Sequence, residues 1–179
     1  MHVSVKHELI GFHQKSRTMW FAILAGIISL IILVVIFHFA ELFKDPLVKD
    51  LKSMNQLFLF IVFALAFLII ILKRIFFAPS QLVSAARRKA YKQGGGQDTE
   101  AKRKTLRYAL DRIHTFSLVL WVLADLIVIA GFLSYIFMLS FQTFIIYAVV
   151  GLYSLLINYP KYGLLEACYN QIMPGDEES

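Results

Sequence analysis

The stretch that decides the fold is Met19–Phe37, MWFAILAGIISLIILVVIF, which contains no charged residue. As an α-helix it would extend about 28 Å, close to the ~30 Å thickness of a hydrocarbon core. Three more apolar runs follow, and the four predicted spans cover residues 19–42, 56–77, 115–139 and 141–158. The hydrocarbon core contains no water to hydrogen-bond with backbone N–H and C=O groups, so each run is expected to be helical. The sequence therefore predicts an integral membrane protein.

Length and composition indicate one domain. The chain has 179 residues, of which 59% are hydrophobic, and its mean hydropathy is +0.68. Four spans occupy most of that length, so we expect a single transmembrane domain over residues 1–179 without a separate soluble domain. The predicted fold is an all-α four-helix bundle of up-down-up-down topology. The loop 78–114 is predicted to form a cytoplasmic helical hairpin with a glycine tip between the second and third helices.

The charge distribution predicts the orientation. The formal charge is +6, and most of the excess lies between the second and third spans, whereas the lysines and acids of the first loop balance. The positive-inside rule then puts this basic loop and both termini in the cytoplasm, and we expect a bacterial inner membrane. Topology alone accounts for the charge, so no nucleic-acid partner is predicted. Contacts with lipid headgroups or a partner are predicted for Arg87, Arg88, Lys89, Lys102, Arg103 and Lys104.

Small residues predict where helices pack closely. In the first span, Ala22 with Gly26 and Ala25 with Ser29 form small-xxx-small pairs. We expect packing within the chain, and a contact between copies is the alternative. Trp20 is expected at the headgroup level, Pro46 is expected to break the first helix, and Pro79 to end or kink the second.

Asp125, near the middle of the third span, is the first candidate for function. Intramembrane acids are costly and often mark ion or proton paths. A structural hydrogen bond and a contact with a partner subunit are the other two interpretations. On the fourth span a polar stripe offers partners for Asp125, above all Tyr147 and Ser154. The stripe contains Tyr147, Gly151, Ser154 and Asn158, and it is expected to face the small residues Ser117, Ala124 and Gly131.

The sequence does not indicate a metal site, a disulfide or an enzyme active site. His38 and His114 lie near opposite ends of their spans, so they cannot share one metal ion, and the N-terminal histidines lack zinc-ligand spacing. No nucleophile–base pair is recognisable, so no enzyme, metal or cofactor is predicted. Cys168 is the only cysteine, which excludes an internal disulfide, and it is expected in a C-terminal tail on the reducing side.

The segment Leu123–Leu133, LADLIVIAGFL, resembles the carboxylate-bearing helix of rotary ATPase c subunits. With the ending Tyr159-Pro160-Lys161, it also resembles small four-helix bacterial membrane proteins of unknown function. This chain differs from c subunits in three respects. It has two extra spans, its first helix lacks a glycine-rich ring motif, and its predicted hairpin turns on the outer face. The resemblance implies a membrane accessory protein rather than a rotor. We therefore expect a non-enzymatic subunit that packs against itself or a larger complex, and the alternative is a proton- or ion-conducting oligomer that uses Asp125.

Overall fold

A computed structural model describes residues 3–43, 45–48, 50–76, 79–92 and 99–172. Across these residues the chain is helical and contains no strand, which confirms the all-α prediction. The predicted glycine tip lies outside the described residues. Within these ranges the helices are α1 Val3–Phe39, α2 Leu51–Phe76, α3 Pro79–Lys92, α4 Thr99–Met138, α5 Phe141–Ile157 and α6 Tyr162–Ile172.

The first helix differs from its predicted bounds at both ends. It begins at Val3, well before the predicted start at residue 19, and it ends at Phe39, ahead of the predicted end at residue 42. A turn follows in which Glu41 has a φ of 50°. A left-handed residue just after a helix is a common helix terminator, and α1 has already ended before Pro46, so Pro46 does not break it.

Prolines and caps explain the next two helix starts. Asp50 precedes α2, and its carboxylate accepts a hydrogen bond from the Ser53 backbone N–H at 3.2 Å, which caps the first turn. The helix ends at Phe76, and Pro79 is the first residue of α3. Proline suits this position because its missing N–H would have no partner within the helix.

The α4–α5 connection lies where the sequence predicts it. Leu139 has a φ of 54°, and Ser140 is the N-cap of α5. The Ser140 hydroxyl lies 2.8 Å from the Thr143 hydroxyl and accepts from the Thr143 backbone N–H at 3.4 Å. One left-handed residue and one cap therefore make this tight turn.

Four helical segments of the described chain are long and apolar enough to cross a membrane. They are Leu9–Phe39, Leu51–Phe76, Lys102–Met138, and Phe141–Ile172, which contains α5 and α6. The surface of α2 is especially apolar, because Phe60 and Phe63 are each 72% exposed. Water would disfavour such a surface and hydrocarbon would not, so the surface of α2 is suited to contact with lipid.

The chain divides into two compact units, although the sequence predicts one domain. The apolar unit contains Trp20–Ile71 and Val119–Tyr159. The basic unit contains Met1–Met19, Leu72–Leu118 and Pro160–Ser179. The apolar unit has a core of large side chains that includes Trp121, Ile127 and Phe144.

The basic unit has a hydrophobic core of its own, assembled from the start of α1, from α3, from the first half of α4 and from α6. Its buried residues are Leu9, Leu82, Val83, Ala86, Leu106, Ala109, Leu110, Ile113, Leu165, Cys168, Tyr169 and Ile172. On α4 and α6 they recur at i, i+3, i+4 and i+7, the pattern of an amphipathic helix. The segment expected to be a tail is therefore a packed helix, and Cys168 is fully buried within it.

The candidate polar site of the apolar unit

Helices α4 and α5 approach closely at two glycines of the predicted site. A Cβ atom at Gly151 would collide with Val128 and lie 2.9 Å from the Ala124 carbonyl oxygen. A Cβ at Gly131 would lie 2.9 Å from the Cβ of Tyr147. The structure thus brings Ala124, Gly131, Tyr147 and Gly151 together, as the small-residue pattern predicts. Ser117 is buried in the basic unit.

The expected hydrogen bond between Asp125 and the polar stripe is not formed. The Tyr147 hydroxyl is buried without a partner, and the half-buried Asp125 has no hydrogen bond to any described residue. Helix rotation explains the difference. Ala124 and Val128 face Gly151 of α5, and Asp125 is turned about 100° away from Ala124. Its carboxyl therefore lies at the edge of the α4–α5 contact.

The polar residues at the end of α5 have a structural role. Asn158 is the C-cap, and its side-chain amide donates to the Ser154 carbonyl oxygen at 2.8 Å. Its own carbonyl oxygen accepts from the indole N–H of Trp121 at 2.8 Å. A second indole, that of Trp20, donates to the Leu155 carbonyl oxygen at 3.1 Å. Helix ends leave carbonyl groups without intrahelical partners, and two tryptophans supply donors here.

Sequence reasoning missed this role of the tryptophans. Trp20 was expected at the headgroup level, but it is only 4% exposed, and its ring packs edge-on against Tyr159 with 4.9 Å between centroids. The usable signal was that a tryptophan within an apolar helix carries one N–H that must find an acceptor. That signal does not say which acceptor, because Leu155 is distant in the sequence.

The small face of α1 is not packed within the chain. The predicted residues Ala22, Gly26 and Ser29 are exposed, and a Cβ at Gly26 would meet nothing within 4 Å. The expectation of packing within the chain is therefore wrong. The buried residues Trp20, Ile27 and Val34 recur every seventh position, on the side of the helix opposite to the small residues.

The predicted cationic residues lie mostly on the surface of the basic unit. Lys102, Arg103 and Lys104 are exposed on the first turns of α4, and Arg88 is exposed on α3. The Lys89 side chain lies outside the described part of the structure. Arg87 donates through its guanidinium to the Gln171 carbonyl oxygen at 2.9 Å and so ties α3 to α6. Arg87 thus stabilises the unit itself.

Three histidines of the described part of the chain pack against aromatic rings. His38 stacks on Phe141 with ring centroids 4.3 Å apart. His13 lies edge-on to Tyr162, and His114 lies edge-on to Phe12, with ring centroids 5.7 Å apart in each pair. Within the described ranges, no three residues of the types His, Cys, Asp or Glu come together to hold a metal ion.

These observations define an all-α protein with four helical segments suited to crossing a membrane and an acidic residue at the edge of a helix–helix contact. No protein-family model, curated protein or solved structure matches the chain. The resemblance to c subunits and to small four-helix membrane proteins stays a prediction.

Proposed function

We propose that this protein is a non-enzymatic integral membrane protein of the bacterial inner membrane that serves as an accessory or structural subunit of a larger complex. Four spans give it a multi-pass topology with both termini in the cytoplasm. The observation that carries the proposal is the unpartnered carboxyl of Asp125 at the edge of the α4–α5 contact.

The argument from Asp125 is energetic. A charged side chain at the centre of a bilayer costs at least ~2.5–3.5 kcal/mol on insertion scales. Asp125 is half-buried beside α5 and has no hydrogen bond among the described residues. A donor from a neighbouring helix of another chain would offset that cost. The partner contact is therefore the interpretation of Asp125 that we favour.

The exposed small face of α1 supports the same conclusion. Ala22, Gly26 and Ser29 leave room for a second helix backbone, and the Ser29 hydroxyl bonds its own helix by donating to the Ala25 carbonyl oxygen at 2.8 Å. Close approach of this kind stabilises helix pairs in membranes. The apolar unit thus offers two faces to a larger assembly.

The test compares affinity-purified complexes of wild type, Asp125→Asn and Asp125→Leu. We expect Asn to retain the co-purifying subunits, because an amide still donates and accepts, and Leu to lose them. Both isolated variants should melt close to wild type, since neither loses a bond within the chain. Tyr153→Phe, which alters an exposed hydroxyl of the same unit, is the matched control. Identical complexes from wild type and Asp125→Leu would contradict the proposal.

A second function, proton or ion conduction by an oligomer, is favoured by one observation. The Tyr147 hydroxyl is buried without a hydrogen-bond partner, and it shares the apolar unit with Asp125. Polar groups without fixed partners can take part in a proton path. Proton flux into liposomes that contain wild type or Asp125→Asn separates the two functions. The subunit proposal expects no flux above empty liposomes, whereas conduction expects flux that Asp125→Asn abolishes.

A further inference from the structure

Two histidines of the basic unit each have a buried ring nitrogen without a hydrogen-bond partner. They are His13 on α1 and His114 on α4, and in both of them the Nδ1 atom is shielded from solvent. Buried polar atoms of proteins are normally hydrogen-bonded, so an unpaired one calls for an explanation. Within the ranges that the structure describes, neither histidine belongs to a group of three potential metal ligands.

Each of these imidazoles connects two helices of the basic unit through an aromatic ring. The edge-on contact of His13 is with Tyr162 of α6, and that of His114 is with Phe12 of α1. Both Tyr162 and Phe12 are partly buried and pack against the hydrophobic core of the unit. The two histidine–aromatic pairs therefore join the start of α1 to α6 and to α4 at the edge of that core.

Protonation makes the buried nitrogens costly to the closed unit. In a neutral imidazole Nδ1 can be a lone pair, with the proton on Nε2, but in the cation both nitrogens carry a proton. The buried Nδ1–H of either cation would have no acceptor, whereas water would accept its hydrogen bond once the unit opened. Opening is therefore coupled to proton uptake. Histidine is the side chain that ordinarily changes its charge between pH 5 and 8.

The charged groups beside His13 do not supply the missing acceptor. Arg17 lies one helical turn further along α1, and a cation there opposes a second positive charge. On α6 the charged residues nearest to Tyr162 in the sequence are Lys161 and Glu166, which are exposed and of opposite sign. Neither of them bonds the Nδ1 atom.

The surroundings of His114 are similar. Lys15 of α1 lies one turn after Phe12, the residue that contacts His114, and it also opposes a positive charge. Asp111, one turn before His114 on α4, would favour that charge. Its side chain is exposed, where water weakens the attraction, and it does not bond the Nδ1 atom. The lack of an acceptor for the buried N–H is thus the dominant effect at both histidines.

We propose that His13 and His114 form a proton-sensitive switch that opens the core of the basic unit when the pH falls below neutral. With both imidazoles neutral, the core is closed over the start of α1 and over α6. The open unit binds more protons than the closed one, so the free energy of opening decreases as the pH falls. This inference uses contacts within the basic unit alone, and it does not rest on membrane insertion or on the subunit role.

Cys168 is a natural reporter of this opening, because it is the only cysteine of the chain and is fully buried in the core of the basic unit. The experiment measures its reaction with dithiodipyridine in the full chain, purified in detergent. The rate for a cysteine peptide at the same pH, divided by the rate for the chain, gives a protection factor free of the pH dependence of the thiol itself. We expect this factor to fall about tenfold to a hundredfold from pH 7.5 to pH 5.5. Each histidine that takes up a proton on opening contributes up to about tenfold per pH unit.

The variants remove the titration but keep a polar side chain. His13→Gln/His114→Gln should protect Cys168 equally at both pH values, because an amide does not titrate. Each single glutamine variant should retain about half of the response on a logarithmic scale. His38→Gln is the matched control, at a histidine of the apolar unit that also contacts an aromatic ring, and it should respond like wild type.

The outcomes decide between a switch and simple packing. Equal protection of wild type at the two pH values would overturn the proposal. So would glutamine variants that lower protection by one factor at both pH values and keep the wild-type response, since the imidazoles would then be packed side chains only. Loss of the response in His38→Gln would assign the titration to the apolar unit. If the double variant leaves Cys168 unprotected at pH 7.5, the single variants decide, because a switch requires a reduced response in each.

Discussion

The indole N–H of Trp20 donates to the carbonyl oxygen of Leu155 at 3.1 Å, across 135 positions of the chain. The bond fastens the first apolar helix to the last turn of α5, where Trp121 makes the corresponding bond to Asn158. Interhelical bonds of this kind are a main source of specificity in lipid, where apolar contacts alone distinguish poorly between packing partners.

We expect Trp20→Phe to lower the free energy of unfolding by about 1 kcal/mol. Phenylalanine keeps an aromatic ring but has no N–H, whereas the Leu155 oxygen retains its bond from the Asn158 N–H at 3.2 Å, so the loss is modest. This loss of stability can be measured by thermal unfolding in detergent, with the fluorescence emission of the remaining tryptophan as the signal. Tyr153→Phe at an exposed position should leave melting unchanged, and a wild-type-like Trp20→Phe would show that the bond does not contribute.

Gly151 and Gly26, both in the apolar unit, should respond oppositely to substitution by alanine. Gly151→Ala forces a methyl group against Val128 and the Ala124 carbonyl oxygen, and we expect overpacking to cost ~1–3 kcal/mol. Gly26→Ala meets open space and should stabilise its helix by ~0.5–1 kcal/mol. Melting temperatures of the purified variants compare them. Similar values for both would place the closest helix contact elsewhere.

Stability should depend on acid pH through the cap of α2. Hydrogen bonds from Ser53 lower the pKa of Asp50 below its ordinary 3.8. A depressed folded pKa stabilises the protein above the unfolded value, and this stabilisation is lost as pH falls through the folded value. Asp50→Ala should therefore melt lower than wild type at pH 7, and the gap should close in strong acid.

The matched variant for this cap is Asp50→Asn, because an amide oxygen still accepts the Ser53 N–H but does not titrate. The difference in melting temperature between Asp50→Asn and Asp50→Ala should not change with pH. A gap between them that closes in acid would assign the pH dependence to another group.

The orientation can be tested by cysteine labelling with an impermeant reagent in intact cells. Ser53→Cys, in the first turn of α2 on the proposed outer side, should be modified, and Asn170→Cys should react only after permeabilisation. Both positions are exposed. Native Cys168 is fully buried, so it should stay unmodified in either compartment and need not be removed. Labelling of Asn170→Cys in intact cells would reverse the topology.

The apolar helices could be predicted because hydropathy is a local property. A charge-free run such as Met19–Phe37 has no other stable form in lipid, and the turn at Leu139–Ser140 follows from a break between two such runs. The close approach of α4 and α5 at Gly151 could also be predicted, because small residues at helical spacing indicate such contacts. These features can be predicted from residues that are close together in the sequence.

Features that depend on helix rotation or on distant segments could not be predicted. One step along α4 turns a side chain by about 100°, which separates Asp125 from the face that meets Gly151. The amphipathic pattern of α6 was readable, but its partners lie in three other parts of the chain. Which side of α1 is buried was equally undetermined, because both sides are apolar or small.

The core of the basic unit joins Leu9, Ala109 and Ile172, residues from the beginning, middle and far part of the chain. During synthesis this core cannot close before the ribosome has released α6, although in the proposed membrane topology the apolar helices would enter the bilayer one after another. A nascent chain halted before residue 162 would be inserted yet would expose Leu82, Leu106 and their neighbours to proteases. Such truncated chains would be degraded because α6, which completes the core, is synthesised after the other helices that form it.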